Sequence, residues 1–395
     1  MTDEKLVETR LDELLGRFPD LAAANTVEFR GAQYDLGLAW VHFETGFGGL
    51  GVAAGLQLHI DARLRELAAP PRNNDYIGMH QGAASINAVG THEQKGRFLR
   101  PLFTGEEHWC QLFSEPGAGS DLAGLATMAV RDGDEWIVNG QKVWTSGARE
   151  SDFAILVART NADAPKHRGL TFFICDIKAP GIDIRPLRQA DGGAHFNEVF
   201  LTDVRVPDEW RLGDEGQGWG ISLTGLHSER EGIGDAFSRP IDTLVDLWRG
   251  RGDRTSAYAL ALRDRTMRVW VESKVVELNG MRMKAALGRG GATPLGSVAK
   301  VAYAELNQRL SDMQVELMGP AGQVGLDYDA ALRDEAVDGK GSFQSPQMFA
   351  VRSRANSIEG GTSEIQRNIV GERVLGLAGD IRVDKDRPWR EIPRN

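Results

Sequence analysis

The chain has 395 residues, which is enough for two or three domains with a large buried core. Its net charge of −10 argues against a general nucleic-acid binder or a protein that docks on acidic membranes. The only cysteines, Cys110 and Cys175, are too few for a disulfide framework or a thiolate metal site. We therefore expect buried thiols, no metal and a cytoplasmic protein.

Residues 1–109 are predicted to form an N-terminal helical domain. Apolar residues recur at spacings of three and four in LVETRLDELLGRF and again in LQLHIDARLREL. The charged, periodic start has no apolar core of the signal-peptide type, and no later run is long enough to span a bilayer. Gly49, Gly51 and Gly55 follow an apolar run, but their spacing differs from that of a dinucleotide-binding fingerprint. We interpret these glycines as part of a loop.

Residues 110–213 are predicted to form a central β domain. Apolar residues alternate in short runs such as FAILVAR, LTFFICDI and NEVFLTDVRV. Short strands that are separated by turns, without helices between them, are typical of an antiparallel sheet or a small barrel. The dipeptides Asp132-Gly133 and Asn139-Gly140 each predict a two-residue hairpin turn.

Residues 214–395 are predicted to form a C-terminal helical bundle. One apolar stripe repeats every seven residues, at Leu262, Val269, Val276 and Met283. A second stripe runs from Val298 to Leu317 and should end at Gly319. The predicted fold class is therefore α+β, with N-terminal helices, an antiparallel β domain and a four-helix bundle.

Two stretches carry the strongest functional signals. The loop SEPGAGSD, residues 114–121, combines two glycines and a proline with two hydroxyls, so its backbone can approach a ligand closely. The Asn139-Gly140 turn would place WTS, residues 144–146, on a strand beside this loop. In IEGGTSEIQR, residues 358–367, the spacing of Ser363 and Gln366 fits a capping box and predicts the start of a helix.

Together these stretches resemble the acyl-CoA dehydrogenase family, in which the first loop and the Trp-Thr-Ser strand hold the flavin ring of FAD. The resemblance extends from about residue 40 to residue 376. It implies cofactor contacts from one set of residues, namely Gln111, Phe113, Ser114, Gly119, Ser120, Trp144, Thr145, Ser146, Thr362 and Glu364. It implies substrate contacts from Ser120, Arg230 and Gly360. The N-terminal end of the predicted helix after Gly361 is a further candidate partner for flavin or phosphate oxygens.

The catalytic base departs from the commonest family pattern. Many members carry a glutamate immediately before Gly-Thr-Ser, but this chain has Gly360 there. A minority use a glutamate in a Leu-x-x-Glu-Arg setting on the first bundle helix, which Leu226, Glu229 and Arg230 match. Glu229 shares a helix face with a mainly apolar set, namely Trp219, Ser222, Leu226 and Ile233. The alternatives are that Glu229 is a core glutamate in an ion pair, that Glu359 is the base, or that the chain has no base.

The far end of FAD shows a second departure. Family members usually supply an Arg-x-x-Phe-Gly segment across a subunit interface to the pyrophosphate, and residues 232–283 contain no such segment. Glu316 stands where the family has a glutamine. The resemblance then implies a tetramer of one of two kinds. Either a related subunit completes an α2β2 assembly, or a homotetramer uses an arginine from residues 249–254 or 263–268.

The implied activity is FAD-dependent α,β-dehydrogenation of an acyl-CoA, with electrons passed to an electron-transfer flavoprotein. A base on the bundle helix resembles members that act on branched, long or steroid side-chain acyl groups. A flavin-dependent monooxygenase shares the fold and is one alternative. The other is a non-catalytic subunit of a hetero-oligomeric dehydrogenase.

Overall fold

The computed structural model describes residues 2–71, 75–191, 193–232, 239–287, 295–324, 345–379, 381 and 383–393. Within these ranges it describes only the backbone of residues 227–232, 239–240, 284 and 286–287. The architecture is α+β, as predicted: N-terminal helices, a central β-sheet and C-terminal helices. Among the described helices, none combines the length and the apolar character that crossing a bilayer requires.

The N-terminal domain is helical because its apolar stripes pack on one another and several of its helices begin at a capping side chain. Its helices are α1 (Asp3–Arg17), α2 (Thr26–Asp35), α3 (Leu56–Glu66), a π-helical turn (Ile77–Gly82) that runs into α4 (Ala83–Val89), and α5 (His92–Thr104). Thr91 and Gln94 form a capping box at the start of α5. Gly49 and Gly51 lie in the irregular segment between α2 and α3, which confirms the predicted loop.

The central segment forms a mixed β-sheet. Its strands are β1 (Trp109–Leu112), β2 (Met128–Asp132), β3 (Glu135–Ser146), β4 (Phe153–Arg159), β5 (Leu170–Asp176), β6 (Ile182–Leu187), β7 (Phe196–Pro207) and β8 (Arg211–Leu212). Their order is β6-β7-β3-β2-β4-β5-β8, and β1 also pairs with β4. Most pairs are antiparallel, but β1 runs parallel to β4 and β2 meets β4 in parallel at Met128.

Strands β4 and β5 are buried on both faces, which explains their continuous apolar runs. On one face, Ile155 and Phe172 join a core that includes Phe98 of α5. On the other face, Leu156 and Phe173 pack with residues of β3 and β7. The sheet therefore forms the layer to which the other two parts of the chain attach.

The predicted hairpin turn at Asn139-Gly140 is wrong. The hairpin predicted at Asp132-Gly133 is present between β2 and β3, but its two turn residues are Gly133 and Asp134, because Asp132 pairs with Glu135. Strand β3 continues through Asn139 and Gly140, and the register against β7 shifts there in a β-bulge. The Asn139 side chain accepts a hydrogen bond from the backbone N–H of Asp203 at 2.9 Å. A Cβ on Gly140 would lie 2.3 Å from Thr127 Oγ1, so the glycine permits close packing instead of a turn.

The C-terminal region is helical and built around long stripes. Its helices are α6 (Gly218–Gly232), α7 (Arg239–Arg249), α8 (Ala257–Leu287), α9 (Leu295–Met318), α10 (Pro346–Arg352) and α11 (Ser363–Ile369). The predicted seven-residue stripe of α8 is confirmed as core, because all its members are buried. Helix α9 ends where the chain reaches Gly319, which adopts a left-handed φ of 60°.

Helix α8 also carries an outer apolar stripe on the face opposite its buried one. This stripe consists of Leu260, Met267, Val271 and Leu278, which are 50%, 48%, 51% and 62% exposed. At about 100° per residue, these positions lie half a turn away from Leu262 and Val269. The helix therefore presents apolar residues on both sides.

Helix α6 joins the β domain to the N-terminal helices through close backbone contacts at glycines. A Cβ on Gly218 would lie 2.7 Å from the backbone nitrogen of Thr171 in β5. A Cβ on Gly225 would lie 3.3 Å from Ser85 Oγ in α4. Between them, Ser222 is fully buried and donates a hydrogen bond to the carbonyl of Gly218 at 2.7 Å.

Candidate functional site

The loop of residues 114–121 is held at its base by a buried carboxylate. Glu115 is 8% exposed and accepts hydrogen bonds from the backbone N–H groups of Ala126 at 2.6 Å and Thr127 at 2.9 Å. It also accepts one from Lys142 Nζ at 2.9 Å. These contacts fix the start of the loop relative to the segment that follows it.

Lys142 connects the same loop to the sheet through hydrogen bonds. Its Nζ donates to the carbonyls of Phe113 and Val157 and to Glu115, each at 2.9 Å. An amine that donates three hydrogen bonds needs three hydrogens, so Lys142 is an ammonium. Burial lowers the pKa of Lys142, and Glu115 opposes that shift. Burial alone would raise the pKa of Glu115, but Lys142 and the hydrogen-bond donors around it bring it below its ordinary value.

The Trp-Thr-Ser strand lies beside this loop and exposes alternate residues. The N–H of Val143 donates to the carbonyl of Ser114 at 2.9 Å. Trp144 is 61% exposed with a φ of +62°, a conformation that is unfavourable for a bulky residue. Ser146 is exposed on the same face, whereas Thr145 is 1% exposed and faces inward. Thr145 can therefore reach a ligand on the Trp144 face only through its backbone.

The other loop residues that the sequence pointed to divide into exposed and buried groups. Gly119 and Ser120 are exposed, and a Cβ on Gly119 would meet no atom within 4 Å. Ser114 and Gln111 are half-buried. Phe113 is buried, with its ring edge-on to Phe172 at 5.7 Å, so its side chain belongs to the core.

The C-terminal motif forms a tight loop before α11. Gly360 and Gly361 adopt left-handed φ values of 63° and 89°. The predicted cap at Ser363 is wrong by one residue: Thr362 is the N-cap, and its side chain accepts from the N–H of Ile365 at 3.2 Å. Gln366 does not complete a capping box, because its Nε2 donates to the carbonyl of Gly360 at 2.8 Å instead. Glu364 is exposed.

Glu359 is engaged by two partners of its own. Arg352 donates to both of its carboxylate oxygens, at 3.2 and 2.7 Å, and Asn356 Nδ2 donates to Oε1 at 2.6 Å. Both carboxylate oxygens of Glu359 are therefore held by partners within the chain. This geometry disfavours Glu359 as the proton acceptor.

Arg352 brings the two motifs together, and the sequence alone did not reveal this. Its guanidinium lies 5.9 Å from the ring centre of Phe196, and Phe196 packs edge-on to Trp144 at 6.0 Å. The C-terminal loop is thus placed at the β3–β7 end of the sheet. No local pattern around Arg352 predicts this contact, because Phe196 is distant in sequence.

His195 is a second residue that the sequence did not reveal. Its carbonyl accepts from the N–H of Gly147 at 2.9 Å, which places it beside Ser146. Burial lowers the pKa of His195 below its ordinary value of 6.5, and the charge of Arg352 lowers it further. The imidazole is therefore neutral at neutral pH. Its Nδ1 is buried and has no hydrogen-bond partner among the described residues.

Glu229 and Arg230 lie on the backbone of α6, but their side chains fall outside the described part of the chain, as does Ile233. The helix prediction over these positions is confirmed up to Gly232. Glu229 lies two turns after the buried Ser222 and on the same face. The helix rise puts it about 16 Å along the axis from Gly218, at the end that leads away from the β domain.

The charge expected at Glu316 is neutralised within the chain. Arg265 Nη1 lies 2.6 Å from Glu316 Oε1. Arg251 Nη1 donates to the carbonyl of Leu317 at 3.1 Å. Both candidate arginine stretches, residues 249–254 and 263–268, therefore contribute a residue near the end of α9. Arg265 is already in an ion pair with the carboxylate of Glu316.

The residues at the Trp144 face fit a flavin. An exposed indole beside an exposed hydroxyl at Ser146 offers a flat apolar surface and a hydrogen-bond donor to a planar polar ring. The left-handed φ of Trp144 is the kind of local strain that is retained where a side chain must be presented to a ligand. Gly119 and Ser120 leave the adjoining loop open to backbone and hydroxyl contacts.

Most of this chain is similar to known protein domains and proteins. Residues 110–204 match the acyl-CoA dehydrogenase middle domain, and residues 216–375 match the acyl-CoA dehydrogenase C-terminal domain. The acyl-CoA dehydrogenase FadE34 of Mycobacterium tuberculosis is 36% identical over 93% of this chain, which spans only about half (49%) of the length of that relative. The acyl-CoA dehydrogenase IpdE1 of the same species is 35% identical over 88% of this chain and 86% of its own length.

A solved structure shows the same fold. The ChsE4-ChsE5 complex from Mycobacterium tuberculosis is 27% identical with a TM-score of 0.70, covering 96% of this chain and 99% of the matched chain. The paired sequence motifs, the exposed Trp144 face and these similarities agree with one another. The chain therefore belongs to the acyl-CoA dehydrogenase family of FAD-dependent oxidoreductases.

Proposed function

We propose that this acyl-CoA dehydrogenase converts an acyl-CoA to its trans-2-enoyl-CoA with Glu229 as the catalytic base, and that an electron-transfer flavoprotein receives the electrons. The observation that carries the base assignment is the engagement of Glu359 by Arg352 and Asn356, with Gly360 at the usual base position. Glu229 is the carboxylate that the family pattern leaves for this role. Its backbone position on α6, two turns after buried Ser222, supports this assignment.

Different residues of this chain have different roles in the proposed reaction. The chemistry that FAD would supply when bound is acceptance of the substrate's β-hydrogen as a hydride. Trp144 would pack against the flavin ring, and Ser146 would donate a hydrogen bond to the ring edge. Glu229 removes the α-proton, and the N–H of Gly360 donates to the thioester oxygen, on which charge develops as the proton leaves. Ser120 and Arg230 contact the CoA portion of the substrate, whereas Thr362 and Glu364 contact the cofactor.

The base assignment is tested by flavin reduction without oxygen. Glu229→Gln retains the size of the side chain and removes its basicity, so reduction by substrate should fall by about 10²–10⁴-fold while FAD stays bound. Glu359→Gln is the matched control and should leave the reduction rate near that of the wild type. The assignment fails if the Glu229 variant is reduced at a near-normal rate, and a loss of reduction in the Glu359 variant would then point to Glu359 as the base.

The substrate class is tested with a panel of acyl-CoA thioesters. We propose a branched, long or steroid side-chain acyl group, by analogy with family members that carry the base on the bundle helix. Bleaching of the flavin by one of these substrates under anaerobic conditions supports a dehydrogenase. Bleaching by none of them, together with incorporation of oxygen into a substrate in the presence of reduced flavin, supports the monooxygenase alternative.

We further propose that the outer stripe of α8 packs against a second subunit. An amphipathic surface helix normally shows polar residues on its solvent face, but this face carries Leu260, Met267, Val271 and Leu278. The partner is a second copy of this chain or a related subunit. FadE34 is only 49% covered by this chain, so that relative holds about as many further residues, which is consistent with a second unit of similar size. ChsE4-ChsE5 is itself a two-component complex.

The subunit partner is identified by expressing the chain alone and measuring its mass in solution and its flavin content. A homotetramer with one FAD per chain shows that no second gene product is needed. A chain that takes up FAD only after co-expression with a related subunit supports the α2β2 assembly. Leu278→Glu should disrupt either assembly, whereas a monomer that binds FAD fully would show that the stripe is not an interface.

A further inference from the structure

The last described segment of the chain runs back over the β domain, behind the cofactor-binding loop. The backbone N–H groups of Trp389 and Arg390 donate to the carbonyls of Ala164 and Ala162, at 3.0 and 3.1 Å. Lys166 Nζ bridges Asp384 of this segment, at 2.6 Å, and Asp121 of the loop, at 2.9 Å. We call residues 384–392 the C-terminal strap.

Trp389 is the central contact of the strap. It is 5% exposed, and its indole Nε1 donates to the carbonyl of Gly124 at 3.1 Å. Its ring covers the guanidinium of Arg159, whose Cζ lies 4.2 Å from the ring centre. Arg159 has no exposed surface, and a desolvated cation stacked on tryptophan is the strong form of this contact.

Trp389 and Arg159 complete a set of contacts that holds every residue from 123 to 127 by its backbone. Arg159 donates to the carbonyls of Ala123 at 2.7 Å and Leu125 at 3.1 Å, on either side of the Gly124 carbonyl that Trp389 holds. Glu115 accepts from the next two N–H groups, as described above. These contacts lock the segment that follows Ser120, although no atom of the strap reaches the Trp144 face in the contacts observed.

We propose that Trp389 is a positioning residue for FAD binding, acting through Arg159 and the carbonyl of Gly124 on the loop that presents Gly119 and Ser120. The loop tip is exposed and rich in glycine, so its geometry depends on how firmly its base is held. The strap supplies that support from the opposite side of the loop. This proposal concerns the cofactor alone and holds for any acyl-CoA substrate.

The test compares variants of the C-terminal strap by their FAD affinity. The affinity is measured by titrating the apoprotein with FAD and following flavin fluorescence. Trp389→Phe keeps the ring over Arg159 and removes the hydrogen bond to Gly124, and it should weaken FAD binding about threefold. Trp389→Ala removes both contacts and should weaken binding about tenfold or more. Arg390→Ala removes only the exposed ion pair with Asp163 on the same strap, and it should bind FAD like the wild type.

Two further measurements distinguish a role in positioning the cofactor loop from a general loss of stability. The visible absorption band of bound flavin should shift in Trp389→Phe, while the thermal midpoint of its apoprotein stays near that of the wild type. If Trp389→Ala does not fold, the phenylalanine variant still decides the question through its affinity and spectrum. Normal FAD affinity and an unshifted band in Trp389→Phe and in any folded Trp389→Ala would overturn the proposal.

Discussion

Replacing Lys142 by methionine should destabilise the β domain strongly, because it leaves three acceptors behind. Methionine keeps most of the aliphatic stem and removes the ammonium. The carbonyls of Phe113 and Val157 and the carboxylate of Glu115 then lose the same donor in a place where Lys142 has no exposed surface. Removing one partner of a buried ion pair costs about 3–5 kcal/mol, and that is the loss we expect in the free energy of unfolding.

The double variant Lys142→Met with Glu115→Gln tests whether the cost comes from the unpaired charge. Glutamine retains an acceptor for the N–H of Ala126 or Thr127 and carries no charge. The double variant should therefore be more stable than the sum of the two single changes predicts, by roughly 0.5–3 kcal/mol. Denaturant unfolding of the apoproteins gives the free energies. Hydrogen exchange at Ala126 and Thr127 reports the local loosening.

The same pair predicts a pH dependence. The pKa of Glu115 in the folded chain is lower than its ordinary value of 4.5. Its contribution to stability is therefore complete above about pH 4.5 and is lost as the pH falls through the lower folded pKa. Wild-type protein should lose stability more steeply than the double variant in this acid range. The reasoning is refuted if Lys142→Met is as stable as the wild type, or if the double variant costs the full sum.

Two further changes test the Trp144 face and the α6 contact. Ser146→Ala should weaken FAD binding by the value of one hydrogen bond, about 0.5–1.5 kcal/mol; unchanged affinity in an apoprotein titration would mean that the strand does not face the flavin. Gly225→Val should cost about 1–3 kcal/mol in denaturant unfolding, because its side chain meets Ser85 at the helix contact. Gly220→Ala is the control: a Cβ there has open space, so it should be neutral or stabilise the protein by up to about 1 kcal/mol.

Much of the scaffold follows from patterns that lie within single elements. The seven-residue stripe that contains Leu262 and Val269 predicts the buried face of α8 because helical geometry alone puts those positions together. The apolar runs of β4 and β5 predict buried strands for a similar reason. The exposure of Trp144 and Ser146 with Thr145 buried between them matches strand alternation, although the register shift between Lys142 and Thr145 and the left-handed φ of Trp144 are not predictable from it.

The structure differs from the sequence-based predictions where a contact with a distant residue selects one of two local conformations. Asn139-Gly140 has the composition of a hairpin turn, but Asp203 and Thr127 provide a hydrogen bond and a close contact that favour a bulge within one long strand. Ser363 and Gln366 have the spacing of a capping box. However, the Gln366 side chain donates a hydrogen bond to the carbonyl of Gly360, and Thr362 caps the helix.

The Arg352 contacts and the strap could not be predicted from the sequence for the same physical reason. Each joins segments whose sequence separation gives no periodic signal. Phe196 belongs to the β domain and Arg352 to the helical region, and no pattern in either stretch predicts that the two side chains meet. The burial of Trp389 depends on distant parts of the chain, namely Arg159 under its ring and the carbonyl of Gly124 at its Nε1.

The strap also affects when the cofactor loop can be completed during synthesis of the chain. The hydrogen bond from Trp389 to Gly124 joins residues that are 265 positions apart. At ordinary translation rates of about 5–20 residues per second, the indole emerges roughly 13–53 s after the carbonyl it must reach. The sheet has ample time to form in that interval, whereas the carbonyl of Gly124 must wait in water for its donor. A nascent chain that stops short of Trp389 would thus hold a folded sheet and an unfinished cofactor loop.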